Sequence, residues 1–455
     1  MTSSPESVIR DLEAAGVEHV RLGGVDIDGV LRGKYISLKK FKSAVTSGLG
    51  FCDVIFGWDS ADELYDDAKY TGWHTGYPDA LARIELETQR AVPWEDGIPF
   101  FLMDFYAEDG SGLPVSPRQA LRRVTDLAAD QGLVPMFAAE YEFFLFRETP
   151  HSLAAKDFRG LTPLSPGMFG YSATRASAIS DFLRSTLSAM NAFNVPLEGL
   201  HTETGPGVYE VAIGYDRVVD AADKAALFKT GFKELCGREE MSACFMAKFD
   251  SSLPGSSGHT HQSLWDLNTE TNLFHDPQGE DGMSDMFRWY LGGLARYLPE
   301  LTALFCPTVN SYKRLVPGMW APTHVTWAID NRTAALRVIR GTEGKQVRVE
   351  NRLAGADANP YLAFAASLAA GLEGIAQKVE PPSRIVGNGY EGVPDGLALP
   401  ADLFEAAERL SKSEMARKWL GDVFVDHYVI TRRWEAREYQ KAVTDWERRR
   451  YFEII

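Results

Sequence analysis

A mixed α/β or α+β fold, with a small N-terminal part ahead of a larger one, is predicted for this 455-residue chain by three observations. Short runs with two-residue apolar alternation, such as VPMFAAEYEFFLF and KQVRVENR, interleave with longer runs of helical period. The composition, 45% hydrophobic and 24% charged, is that of a soluble globular protein with a large core. A proline-bearing break, LPVSPRQAL, places a domain boundary near residues 113–116.

The elements follow in chain order. MTSSPESVIRDLEAAG reads as an amphipathic helix; it lacks a basic start followed by an apolar run, so no signal peptide is expected. Residues 17–37 alternate around Gly/Asp turns and predict a β-hairpin, and 81–86 and 100–105 predict further strands. Between them, FGWDSADELYDDAKYTGWHTG (56–76) is acidic, aromatic and turn-rich, more like an ordered functional loop than a linker. Ser116-Pro117 opens a helix over 117–131 with proline in its first turn. Beyond it, strands at VPMFAAEYEFFLF, GVYEVAIGY, CFMAKFD, TAALRVIR and KQVRVENR alternate with helices over 175–193, 217–236, 284–297, 359–377, 401–411 and 428–448. No internal repeat stands out, and no run approaches the ~18 apolar residues of a membrane helix.

Charge and cysteines narrow the function classes. The 47 Lys+Arg against 63 Asp+Glu give a net charge of −16, which argues against wholesale nucleic-acid binding but leaves room for a local arginine cluster and an anionic substrate. Cys52, Cys236, Cys244 and Cys306 show no zinc-like spacing and read as reduced thiols of a cytoplasmic protein.

Acidic residues inside apolar strand patterns are the informative signal. Glu140 and Glu142 in AAEYEFFLF are two apart and share a strand face. Ionised carboxylates there need partners, unless the face is an exposed edge. LEGLHTETGPGVYEVAIGY carries Glu198, Glu203 and Glu210 around a GPG turn, which would set Glu203 and Glu210 across a hairpin. His259 and His261 share a face in GSSGHTHQS, and Arg348, Glu350 and Arg352 share one in KQVRVENR. Carboxylates with one His suit divalent ions of the Mg²⁺ or Mn²⁺ type better than zinc. Arg332, Arg337, Lys345, Arg348 and Arg352 supply a cationic lining, so metal ions plus arginines form an apparatus for phosphoryl transfer. There is no Walker-type or kinase-type glycine-rich loop.

In order along the chain, EYEFF, HTETGPGVYE, GSSGHTHQS, PTVNSYKRLVPG, DNRTAALRV, RVENR and ANPYLAFAASLAAGL resemble the glutamine synthetase family from about residue 17 to the C-terminus. The resemblance implies an α+β architecture: an N-terminal β-grasp-like domain over residues 1–114 and a catalytic domain with a curved antiparallel sheet and helices over 115–455. It implies ATP and two or three Mg²⁺ or Mn²⁺ ions, and a homododecamer of two hexameric rings with active sites between subunits. It places Glu142, Glu203 and Glu210 on one ion and Glu140, His259 and Glu350 on another. Arg332, Arg337, Lys345 and Arg348 would handle phosphates, with Arg332 nearest the transferred group. Glu198, Tyr215, His261 and Ser263 would surround the nucleotide. Arg314, Arg352 and Gly255 would hold glutamate. The implied reaction activates the γ-carboxylate of glutamate as an acyl phosphate, which an unprotonated nitrogen then attacks.

The pattern departs from ammonia-using members at several places. Two residues after the Pro-Gly of SYKRLVPGMWAPTHVTW, where those members carry a glutamate, stands Trp320. An indole takes no proton but lines a slot for an alkyl chain and attracts a cationic amine, by ~0.5–2 kcal/mol. The family's N-terminal aspartate of the ammonium site has no clear match, and Asp59, Asp62 and Glu63 each remain open as proton acceptor. Pro254 and Val208 replace an asparagine and a glutamine, and Tyr390 is only a loose counterpart of a tyrosine adenylylated in some bacterial members. The expectation is a ligase joining glutamate to a primary amine or polyamine. The alternatives are an ammonia-using glutamine synthetase and a non-catalytic relative.

Overall fold

The computed structural model describes residues 4–341, 343–391 and 396–455. Its first sheet has five strands, β1 (His19–Val25), β2 (Leu31–Ser37), β3 (Leu49–Cys52), β4 (Asp79–Val92) and β5 (Ile98–Tyr106), in the order β2-β1-β5-β4-β3. The predicted hairpin is β1–β2, its turn closed by the Asp26 carboxylate, which accepts from the Asp28 and Val30 amides at 3.0 and 2.8 Å. β1 runs parallel to β5, and the helix Leu38–Ser47, capped by Ser37, packs Phe41 on Phe101 at 4.9 Å between ring centroids. A hairpin, a helix across it and a parallel central pair make the β-grasp-like arrangement.

The second sheet has nine strands: β6 (Leu133–Phe146), β7 (Leu197–Thr202), β8 (Val208–Ile213), β9 (Asp216–Arg217), β10 (Ser242–Cys244), β11 (Gly258–Asp266), β12 (Trp327–Ile329), β13 (Leu336–Ile339) and β14 (Arg348–Asn351). The order β12-β13-β14-β11-β6-β8-β7, with β9 and β10 also on β6, is antiparallel apart from the parallel β12–β13 pair. Strand β6 alternates along most of its length. Phe137, Ala139, Tyr141 and Phe143 are buried on one face, where Phe143 meets Phe232 of the helix Val218–Arg238 and Phe137 meets Phe364 of the helix Pro360–Gln377. That second helix is apolar nearly all round and buried along its length, as a core helix must be. With the helices on the outer face, Glu140 and Glu142 are left on the inner face of the curled sheet.

Four elements differ from expectation. CFMAKFD is strand only to Cys244, because the Lys248 amide and carbonyl are taken by the Asn310 side chain rather than by a ladder. The run 175–193 divides into Ala173–Ser177 and Ser180–Ala192. The helix predicted over 284–297 continues to Phe305. The run 428–448 spans two helices, Asp422–Lys441 and Asp445–Tyr451, the second restarted by a capping box between Thr444 and Glu447.

Buried ions join the two sheets. Arg118, in the helix Pro117–Ala129, donates to both oxygens of Asp223 at 2.9 Å and to Asp104 of β5 at 3.0 Å, while Tyr361 donates to Asp223 at 2.6 Å. Arg432, 1% exposed, reaches from the helix Asp422–Lys441 to Asp28 of the hairpin at 2.6 Å. Among the described residues no helix is long and apolar enough to cross a membrane.

Candidate active site

Strand register builds the site. Glu140 lies opposite His259 across β6–β11, His261 opposite Glu350 across β11–β14, and Glu350 opposite Arg337 across β14–β13. These four strands lay one polar row across the inner face. His259 Nδ1 stands 3.1 Å from Glu140 Oε1 and 3.2 Å from Glu350 Oε1, and one ligand atom from each residue lies within 4.8 Å of the others. A ring nitrogen that faces two carboxylates either carries a proton or shares a cation with them, so this donor set fits a hard divalent ion. On the other side of β6, Glu142 lies opposite Glu210, and Glu142 accepts from the Ser257 amide at 2.7 Å. Glu203 follows β7 at the turn, where its amide bonds the Val208 carbonyl; the strand partner of Glu210 is therefore His201, not Glu203 as the hairpin reading expected. The turn has its bonds two residues nearer the glycines than that reading assumed.

The electrostatics divide the carboxylates in two. Burial opposes ionisation of Glu140, yet hydrogen bonds from His259 and His261 hold its carboxyl well below the usual range. Glu350, 1% exposed, is likewise opposed by burial but is brought down to about 2 by His259, Arg352 and His261; it accepts from Arg352 at 2.5 Å and from Arg337 at 3.1 Å. Burial raises Glu142, with the Ser257 amide and Arg314 opposing, and burial raises Glu210, with His201 opposing. Carboxylates pushed up by burial and by one another gain most from a cation placed between them.

Beside the Glu140 row a cavity of ≈ 420 Å³ opens, lined by Glu198, Tyr215, His261, Ser263, Lys345 and Arg348 among others. This brings together the residues predicted around the nucleotide and its phosphates except Arg332 and Arg337; Arg337 instead joins Glu350 to Asp330. Trp265 on the same wall donates to Ser263 Oγ at 2.9 Å, and Arg348 donates to His261 Nδ1 at 3.3 Å. Such a volume, lined by both aromatic and cationic side chains, suits a nucleotide in size and chemistry. Arg332 is exposed and makes no hydrogen bond or ion pair among the described residues.

Arg314, 3% exposed, donates to the Leu353 and Arg352 carbonyls at 3.0 and 3.1 Å, leaving three of a guanidinium's five N–H groups for other partners. Gly255 packs under it: a Cβ there would lie 2.7 Å from Arg314 Cγ and 2.7 Å from the Ala247 carbonyl oxygen. Gly255 thus supports Arg314 by having no side chain. The loop bearing Arg314 is pinned by Asp357, which accepts from Thr308 and Ser311, and by Glu435, which accepts from the Val309 amide. Farther along, Trp320 is 62% exposed with φ of +60°, following Gly318 at +77°. An indole in the left-handed region is strained and is turned out to solvent. Asp59 is occupied in its own loop, accepting from the Ala61 and Glu63 amides, and Asp62 pairs with Arg32 at 2.8 Å. Glu63 is exposed, and among the described residues neither it nor Asp59 bonds to the carboxylate row.

Two residues at the site escaped the sequence reading. His201 pairs with Glu210 at 3.1 Å, and Tyr171 lies over the His201 ring at 4.5 Å between centroids. Burial and then Glu203 and Glu210 push the Tyr171 hydroxyl up to about 12. His201 carried a signal, standing nine residues before Glu210 on a hairpin with a visible GPG turn. Tyr171 carried none, since its loop is irregular and joins β7 through the Tyr171 amide to the Thr202 carbonyl and the Ser172 amide to the Thr202 hydroxyl.

Residues 114–451 match the glutamine synthetase catalytic-domain family. The chain is 48% identical to type-1 glutamine synthetase 2 of Dictyostelium discoideum, over all of this chain and 87% of that protein. It is 39% identical to the glutamate–isopropylamine ligase of a Pseudomonas species, over 98% of each. A solved structure described as apo GmaS without ligand superposes with a TM-score of 0.85 at 29% identity, covering all of both chains. That family uses ATP and divalent metals, and Glu140, His259 and Glu350 form a candidate metal site on this sheet. The chain belongs to the glutamine synthetase family and is a carbon–nitrogen ligase.

Proposed function

We propose that the protein is an ATP-dependent glutamate–amine ligase that forms a γ-glutamyl amide from a primary amine or polyamine, with ADP and phosphate as co-products. The observation that carries this reading is Trp320, an exposed indole on the loop that also bears Arg314. An aromatic face there suits the alkyl body and cationic head of an amine, and it lacks the carboxylate that would pair with bare ammonium or take its proton. The resemblance to an isopropylamine ligase supports the same reading.

In this reading Glu142, Glu203 and Glu210 would hold one Mg²⁺ or Mn²⁺ ion and Glu140, His259 and Glu350 another, and such ions would supply positive charge against a transferring phosphoryl group. Lys345, Arg348, Ser263, His261, Glu198 and Tyr215 position ATP, with Arg337 and Arg332 toward its phosphates. Arg314 and Arg352 clamp the glutamate carboxylates beside Gly255. The γ-carboxylate oxygen attacks the terminal phosphorus, and the amine nitrogen then displaces phosphate from the acyl carbon. The amine must first lose a proton; Glu63 or Asp59, supplied by a neighbouring subunit's N-terminal domain (residues 1–114), accepts it beside the catalytic domain (115–455). This reading needs an assembly that sets one subunit's N-terminal domain beside its neighbour's catalytic domain, and it takes that assembly to be a dodecamer of two hexameric rings in the cytoplasm.

The test is phosphate release by the purified protein with glutamate and a panel of ammonium, methylamine, ethanolamine, isopropylamine, putrescine and spermine. Turnover highest with ammonium would overturn the amine reading. It would favour the second reading, an ammonia-using glutamine synthetase, which the similarity to type-1 glutamine synthetase 2 supports.

A further inference from the structure

The segment 385–391 belongs to no helix or strand, yet it is bonded on both sides to residues of the site. On one side it grips the turn that carries Arg332. Asn331 Nδ2 donates to the Gly387 carbonyl at 2.7 Å, and the Gly389 amide donates to Thr333 Oγ1 at 2.8 Å. Asn331 Oδ1 in turn accepts from the Thr333 amide and hydroxyl at 2.9 and 2.6 Å. The two residues flanking Arg332 therefore spend their side chains on each other and on this strap. The fit is close: a Cβ at Gly389 would lie 2.5 Å from the Thr333 carbonyl oxygen.

On its other side the strap holds the loop bearing Trp320. Tyr390 is half-buried and its hydroxyl donates to the Ala321 carbonyl at 3.1 Å. The Asn388 side chain fixes the turn, accepting from the Tyr390 amide at 3.2 Å and donating to Glu391 at 2.7 Å. Farther back, the Ile385 amide donates to the Trp327 carbonyl at 3.0 Å. One short segment thus ties the loop at 318–321, here called the flap, to the turn that carries Arg332.

We propose that Tyr390 is a positioning residue that latches the Trp320 flap to the Arg332 turn, so that the acyl phosphate is shielded from water until the acceptor nitrogen attacks. The inference rests on the ligase reading, since it concerns the fate of γ-glutamyl phosphate. With the flap loose, a water oxygen bonds the acyl carbon, phosphate leaves with the electron pair of the C–O bond, and the water's protons pass to solvent. The net result is glutamate, ADP and phosphate with no amide. The latch therefore controls how many amides form per ATP, not how tightly ATP binds.

The test is Tyr390→Phe, which keeps the ring and removes the single bond to Ala321. ADP and amide are quantified in the same reaction at saturating substrates, and KM for ATP is measured alongside. One hydrogen bond's worth of flap closure predicts about three- to tenfold more ADP per amide than wild type, with KM for ATP unchanged within about twofold. Gly389→Ala, which keeps the hydroxyl but forces the strap off Thr333, should raise ADP per amide in the same way. A Tyr390→Phe enzyme with the wild-type ratio of amide to ADP overturns the inference, as does a parallel loss of ATP affinity. The ratio is read with whichever acceptor wild type prefers, ammonium included, so a wrong choice of amine leaves this test intact. A wild-type protein that makes neither amide nor glutamine would refute the ligase reading and this inference with it.

Discussion

Gly255→Ala tests the glutamate side of the site with the smallest possible change. An added Cβ would stand 2.7 Å from the Ala247 carbonyl oxygen, 2.7 Å from Arg314 Cγ and 3.1 Å from its Cδ, whereas ordinary contact begins near 3.4 Å. Relief therefore needs a displacement of about 0.7 Å. The backbone oxygen yields little, so most of the movement falls on Arg314. That side chain is 3% exposed and tied to the Leu353 and Arg352 carbonyls, so it has no open direction in which to swing. Overpacking of this size costs about 1–3 kcal/mol of stability. A displacement approaching 1 Å in a substrate-fixing group costs about 10–100-fold in binding or rate. The expectation is a KM for glutamate raised about 10–100-fold and a KM for ATP within about twofold of wild type, because the nucleotide cavity is lined by other strands. ADP-release kinetics with each substrate varied in turn read both values, and circular dichroism melts confirm that the variant is folded. A folded variant with unchanged KM for glutamate, or with both constants raised together, would refute the reasoning.

Three further outcomes are expected. Glu350→Gln removes a carboxylate from the His259 nitrogen and leaves Arg337 and Arg352 short of an acceptor; Mn²⁺ affinity measured by calorimetry should fall by at least about tenfold. Trp320→Glu should move the ratio of kcat/KM for ammonium over the best amine upward by about tenfold, and an unaltered amine profile would place specificity elsewhere, in 56–66. Glu435, which burial pushes from 4.5 to about 7, makes stability depend on pH. Between about pH 4.5 and 7 only the folded state keeps its proton, so the folded protein binds more protons and stability falls as pH rises; above 7 neither state holds it and the loss is complete. Glu435→Gln should therefore gain roughly 1–3 kcal/mol more, relative to wild type, at pH 8 than at pH 5 in urea unfolding. An equal difference at the two pH values would show that Glu435 is already ionised when folded.

The strand carboxylates were legible because a strand's two-residue period fixes which side chains share a face. Glu140 with Glu142 and His259 with His261 needed nothing beyond their spacing. Register was not legible. That His259 falls opposite Glu140, and Glu210 opposite His201 rather than Glu203, depends on where each ladder starts, and turn geometry sets that. The strand predicted at CFMAKFD failed for a related reason: Asn310, some sixty residues away, captures the Lys248 backbone, and local propensity carries no trace of such a partner. Tyr171 and the contacts of the 385–391 strap were missed because irregular segments have no period to read, and their places are set by bonds to distant residues, Thr202 for the first and Trp327, Asn331, Thr333 and Ala321 for the second.

By itself, then, the sequence determined the chemical inventory: the carboxylates, histidines and arginines on strands, the proline and glycine punctuation, and the tryptophan where a glutamate would serve ammonia. These follow from side-chain chemistry and backbone period, which are local properties. Only the tertiary structure decided which oxygen faces which nitrogen, which cations remain unpaired, and which glycine keeps Arg314 in place. Those depend on strand register and on contacts between segments hundreds of residues apart, such as Asp28 with Arg432, where burial sets the energy.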